Sequence, residues 1–161
     1  MLSLAGSCGG NLGQCFNGFL NSFSDHLYDL NGVKAQIGMR IVKTQAEVEE
    51  AKLKGETVFL VKDDGVYING SFSNASGNVY FKGENVAEVI KNAKLGYDGV
   101  NGIPINAWEG IILDMSHIEL DNSLMSHQSW RNYNFYMVAE LALLQDIGYN
   151  FDRKLYYGDS I

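Results

Sequence analysis

Apolar positions along this chain change their period several times, and each change marks a separate element. Leu12, Cys15, Phe16, Phe19, Leu20 and Phe23 recur near helical spacing, which predicts a short amphipathic helix in a first segment otherwise rich in Gly, Asn and Ser. Asp25 to Leu30 runs into Asn31-Gly32, a turn signal, and Gln36 to Val42 then reads as a strand entry. Thr44 and Glu47 stand at the spacing of a capping box, in which hydroxyl and carboxylate each accept the other residue's amide. A helix is therefore expected over 45–53, with Gly55 as its stop.

Thr57-Val58-Phe59-Leu60-Val61 is a β-branched and aromatic run, and Asp64-Gly65 is expected to turn it back into Val66-Tyr67-Ile68 as a hairpin. Asn78-Val79-Tyr80-Phe81 reads as a further short strand. Glu84 to Ala93 then places Val86, Ala87, Val89 and Ile90 on one helical face. The Gly-rich stretch from Leu95 to Ile105 reads as an irregular loop. A last helix carries Val138, Leu141, Ala142 and Leu144 as one stripe, with Asn134 or a neighbour as its cap and Gly148 just past its end. Tyr149 to Ile161 reads as an extended aromatic tail.

Together these elements predict an α+β fold with a small antiparallel hairpin or sheet, several short helices and a closing C-terminal helix. Residues 1–23 are a Gly-rich leader, and 24–161 form one subdomain without an internal repeat or linker. With 161 residues and 46% hydrophobic content, the chain can bury one sizeable core. Eighteen glycines against the single Pro104 imply many turns.

The net charge is −7, and the basic residues are scattered without a cluster to neutralise a row of phosphates. Nucleic acid is excluded as an expected partner. No stretch approaches the ~20 apolar residues of a spanning helix, so no membrane span is expected. Cys8 and Cys15 are the only cysteines; a short-loop disulfide in an oxidising compartment and two free thiols both remain open. Ala5-Gly6-Ser7-Cys8 has the look of a lipoprotein cleavage box. No Lys or Arg precedes it and its apolar run is too short, so a signal peptide is not expected.

Candidate chemistry centres on the stretch Asp114 to His127. Neutral imidazole is a favoured zinc ligand, and His117 follows the apolar-leading segment Trp108 to Met115, which would deliver it from a packed element into a cleft. Taken alone, it reads better as a surface loop histidine; the company of Met125 and the terminal helix favours the ligand reading. Met125 follows in a Ser-Leu-Met-Ser turn, where methionine also serves as core filler. His127 and His26 are weaker metal-ligand candidates, each also readable as a solvated turn histidine. An acid/base cluster of Asp114, His117 and Glu119 ranks last, because strand alternation would put Asp114 and His117 on opposite faces. Asp63-Asp64-Gly65 lacks the remaining ligands of a calcium loop, and no nucleophile elbow, phosphate loop or C-x-x-C pair is present.

Four blocks resemble leishmanolysin-like metzincin zinc metallopeptidases, especially the metallopeptidase-like passenger domains of bacterial surface or autotransporter proteins. Ser24-Asp25-His26-Leu27-Tyr28-Asp29-Leu30-Asn31-Gly32 is similar to the segment after the active-site helix. Tyr80-Phe81-Lys82-Gly83-Glu84-Asn85-Val86-Ala87 is similar to the family's F-x-G-x-N-A helix entry. Ile103-Pro104-Ile105 with Ser116-His117 resembles the approach to the third zinc ligand. Ser123-Leu124-Met125-Ser126, with Glu140 to Tyr149, resembles the Met-turn and closing helix, including an L-x-D-[LI]-G-Y ending.

The resemblance implies His117 as third zinc ligand, Met125 as the Met-turn residue, a peptide or protein substrate, and an extracellular or cell-surface location. Yet the H-E-x-x-H pattern, which would supply two ligands and the general base, occurs nowhere in the sequence. No catalytic residue is assigned, and zinc is not expected to bind tightly to this chain alone. The expectation is a fragment or degenerate form of a zinc metallopeptidase, with the missing N-terminal part of that domain as a partner. The alternative is a noncatalytic surface or binding module retaining the scaffold, with Tyr149, Phe151, Tyr156 and Tyr157 available for an interface.

Overall fold

A computed structural model of the chain describes residues 22–62, 79–91, 102–105, 108–109, 112–113, 115, 117–118, 123–125 and 135–157. The fold is α+β. A 3₁₀ turn, Ser24–His26, leads into β1 (Leu27–Asp29), followed by β2 (Ile41–Val42), α1 (Gln45–Leu53) and β3 (Phe59–Leu60). Then come β4 (Val79–Phe81), α2 (Glu84–Ile90), β5 (Ile103–Ile105), β6 (Trp108–Glu109), β7 (Ile112–Leu113), α3 (Val138–Asp146) and α4 (Lys154–Tyr157).

The central sheet has the order β1-β4-β5 and is antiparallel throughout, with Tyr80 opposite Tyr28 on one side and Pro104 on the other. All three residues of β4 are buried, so both faces of this strand are covered. β5 is an outer strand of the three, where a proline without an N–H is tolerated. Its presence corrects the expectation of irregular loop up to Ile105: Ile103 and Ile105 are fully buried apolar residues in register with Phe81 and Val79. Residues 95–101 of that expected loop lie outside the described residues, as does the predicted helix before residue 22.

β3 pairs in parallel with β2, Ile41 opposite Phe59 and Val42 opposite Leu60, with α1 as the crossover that parallel strands require. Among the described residues the run thus forms a βαβ unit with β2; the Asp64-Gly65 turn and the second arm of the expected hairpin, 66–68, lie outside them. The physical reason is in the run itself. Val58, Phe59, Leu60 and Val61 are all buried without alternation, the signature of a strand covered on both faces. The strand entry read over 36–42 is confined to Ile41–Val42.

α1 begins and ends where its caps dictate. The Glu47 amide donates to the Thr44 hydroxyl at 3.3 Å, the Thr44 amide donates to the Glu47 carboxylate at 2.9 Å, and Gly55 follows the end at φ 73°. Only Val48 and Ala51 are buried on it, and they join Val42, Val58 and Leu60 in a small second core. The main core gathers Phe23, Leu27, Phe81, Val86, Ile103, Ile105, Met115, Ile118 and Leu143 between the central sheet and helices α2 and α3. α2 buries Val86 and Ile90, whereas Ala87, expected on the same face, is exposed.

α3 ends as predicted. Gly148 at φ 108° lets its own amide reach the Gln145 carbonyl at 3.0 Å and the Tyr149 amide reach the Leu144 carbonyl at 3.0 Å, a Schellman closure. Its start differs: the N-cap is Met137, whose amide donates to the Glu140 carboxylate at 2.6 Å, and Asn134 lies outside the described residues. The tail is also not wholly extended. Asp152 accepts the Lys154 amide at 2.9 Å and so starts the short helix α4. Among the described residues, no helix is long and apolar enough to cross a membrane.

Candidate functional site

His117 is half-buried and sits immediately before Ile118, which bridges to Ile105 at the edge of β5. The Ile118 amide then donates to the carbonyl of Met125 at 3.1 Å, so the chain leaving Ile118 comes back to the same point at Met125. That hydrogen bond ties Ile118 to Met125. Met125 is half-buried and packs against the main core, as a structural methionine does.

Met125 is also held by α3. The Met125 amide donates to Oε1 of Glu140 at 2.8 Å and lies 3.1 Å from the Ser123 hydroxyl oxygen. The Ser123 hydroxyl donates to the same Oε1 in a short bond, while Oε2 takes the Met137 amide. Ser123 and Glu140 are both fully buried. Three donors at the first turn of a helix offset much of the cost of burying a carboxylate, because peptide dipoles there favour negative charge.

His26 is placed differently. Its ring stacks on Phe81 with centroids 5.0 Å apart and planes 16° apart, and its Nδ1 donates to the Ser22 carbonyl at 2.6 Å. It is a packed histidine at the start of β1. His127, Asp114, Glu119, Cys8 and Cys15 lie outside the described residues.

A catalytic zinc needs about three protein donors and an open position. Among the described residues no group of three His, Cys, Asp or Glu side chains converges. The described donor set therefore does not fit a complete zinc centre, and no reaction step is derived through the metal.

A second cluster links the blocks around Gly83 and Asp146. The Asp146 carboxylate, at the end of α3, accepts the Asn85 amide and its side-chain NH2 on Oδ1 and the Val86 amide on Oδ2, each at 2.9 Å. It thereby serves as the N-cap of α2 from another helix, while Gly83, the residue in the cap position, has no side chain to do so. Arg153 closes the cluster by donating to the side chains of Gln145 at 2.6 Å, Asn85 at 3.3 Å and Glu88 at 3.1 Å. Gln145 in turn donates to the Phe151 carbonyl at 2.7 Å, which folds the tail back onto α3.

Sequence reasoning missed Glu140, Asp146, Arg153 and Asp29 as organising residues. For Glu140 a signal existed: it is the one charge inside the otherwise apolar run Val138 to Leu144. Asp29, buried in β1, accepts the amides of Asn31 and Val33 on Oδ1 and that of Leu60 on Oδ2. Its sequence context suggested a turn at Asn31-Gly32 or a group orienting His26, and not a link to β3. The chain has no significant match among protein-family models, curated proteins or solved structures.

Proposed function

We propose that this chain is the C-terminal subdomain of a zinc metallopeptidase scaffold, in fragmentary or degenerate form, and that it does not hydrolyse peptide bonds by itself. The observation that carries this reading is the hydrogen bond from the Ile118 amide to Met125, which is itself anchored on the first turn of α3. A third zinc ligand, a methionine turn and a closing helix need that same succession of parts. The pairing of the Gly83-Asn85 block with the Asp146 block adds support, because two of the quoted family motifs meet in space. In this reading His117 is the third-ligand position and Met125 the Met-turn residue. Peptide substrates, cell-surface location and a partner supplying the H-E-x-x-H helix belong to the parent activity.

Zinc titration of the purified chain beside His117→Ala tests the reading. Only weak, substoichiometric binding, lowered by His117→Ala, is expected, with no turnover of a peptide substrate. A stoichiometric tight site with proteolysis would overturn it. Sequencing the genomic DNA upstream of Met1 for an H-E-x-x-H segment tests the ancestry directly. The second reading, a noncatalytic binding module on the same scaffold, is favoured by Phe135 and Tyr149, 71% and 61% exposed beside the two ends of α3.

A further inference from the structure

We propose that Glu140 is a positioning residue for His117, acting through Met125 and its hydrogen bond to the Ile118 amide. The proposal takes from the reading above only that His117 is the group to be presented; the positioning itself rests on the hydrogen bonds.

Glu140 occupies the third position of α3, where a glutamate ordinarily accepts the cap amide at the helix surface. Only Oε2 does this here, toward Met137. Oε1 takes both the Met125 amide and the Ser123 hydroxyl. Burial is the second observation. A helix cap needs no buried carboxylate, and desolvating one is costly, yet Glu140 and its partner Ser123 are both 0% exposed. Ser123 and Met125 both donate to Oε1.

From that oxygen the path to His117 is short. Met125 is fixed by its amide on Glu140 and, through its carbonyl, fixes the Ile118 amide; Ile118 is held from the other side by its bridge to Ile105. His117 is covalently next in line. Removing the anion would free Met125, loosen its hold on the Ile118 amide, and so shift the backbone that carries the His117 ring.

Glu140→Gln keeps size but offers one acceptor oxygen, so either Met137 or the pair of Ser123 and Met125 loses its partner. In the full chain, amide hydrogen exchange and the imidazole ¹⁵N spectrum of His117 are read together. A hydrogen bond to a charged group is worth enough that exchange at Met125 and Ile118 is expected to accelerate roughly tenfold or more. The His117 ring resonances should shift or broaden, while Val48 in α1 exchanges as before. Ser123→Ala, which leaves the Met125 acceptor in place, should give a smaller change of the same kind. Should Glu140→Gln fail to fold, Glu140→Asp serves: it keeps the anion on a shorter arm, and the Met125 and Ile118 amides should again exchange faster. Normal exchange at Met125 and Ile118 with an unchanged His117 spectrum, in whichever variant folds, would overturn the proposal. These readouts involve no metal, so failure of the zinc reading leaves them independent.

Discussion

The amide of Leu60 donates to Oδ2 of Asp29 at 2.9 Å, across 31 positions of sequence, and this one bond joins the parallel strand pair to the central sheet. Its direction follows from the ladder. Phe59 and Val61 turn their amides toward the carbonyls of Arg40 and Val42, so the Leu60 amide points away from β2. Left unpaired in a buried strand it would be costly, and the carboxylate takes it.

Asp29→Asn tests this arrangement. The amide group offers one acceptor oxygen, so it keeps either the Asn31 and Val33 amides or the Leu60 amide and sets an NH2 against the other. A loss of about 1–3 kcal/mol is expected in urea unfolding, the cost of leaving a buried donor unsatisfied. A change near zero would mean that water or a local shift replaces the carboxylate.

The same residue gives a pH dependence of defined sign. Burial pushes the Asp29 carboxyl above its ordinary value of 3.8, against the opposing pull of the amides of Leu60, Val33 and Asn31 and the charge of Lys82. A group whose native pKa is raised contributes stability that is full below 3.8 and is lost as pH rises through the native value. The stability gap between wild type and Asp29→Asn should therefore narrow as pH is raised across that window. A gap that widens instead would contradict the raised value.

Thr44→Ala should cost about 0.5–2 kcal/mol, the usual range for losing a hydroxyl N-cap. It should also move a titration. The Thr44 hydroxyl, followed by the Lys43 amide, holds Glu47 below its ordinary 4.5, so the capping contribution is present above 4.5 and fades as pH falls through the lowered native value. In Thr44→Ala the Glu47 carboxyl midpoint, followed by ¹³C NMR, is expected to move up toward 4.5.

Gly83→Ala probes space and not backbone strain, since φ of −155° suits any residue. A β-carbon there would overlap the Asp146 carboxylate and lie 2.7 Å from its Cβ. Overpacking of this kind costs about 1–3 kcal/mol. Asp146→Ala, which uncaps α2 and removes the overlapping carboxylate while keeping the Cβ at 2.7 Å, should show coupling of about 0.5–3 kcal/mol with Gly83→Ala in a double-mutant cycle. Strict additivity of the two would deny that they share one site.

Elements whose signals are local were legible in the sequence. Thr44, Glu47 and Gly55 define α1 within a dozen residues, and Gly148 marks the end of α3 as expected. Elements whose partners lie far away were not. The parallel pairing of Phe59 and Leu60 depends on β2 across α1, and β5 was hidden because Gly102 and Pro104 interrupt its apolar pattern. At the candidate site, the order of His117, Met125 and a closing helix could be read off the chain. The carboxylate that holds Met125 left only the trace of a lone charge in an apolar run, because its partners Ser123 and Met125 lie 17 and 15 positions before it.

The cap that α2 borrows from Asp146 bears on how the chain can be made. α2 has seven residues, too few to persist by itself, and the carboxylate that completes it arrives 60 positions after Val86. During vectorial synthesis, α2 would leave the ribosome unfinished and wait for α3. A nascent chain stalled short of Asp146 should lack a helix that it has already translated in full.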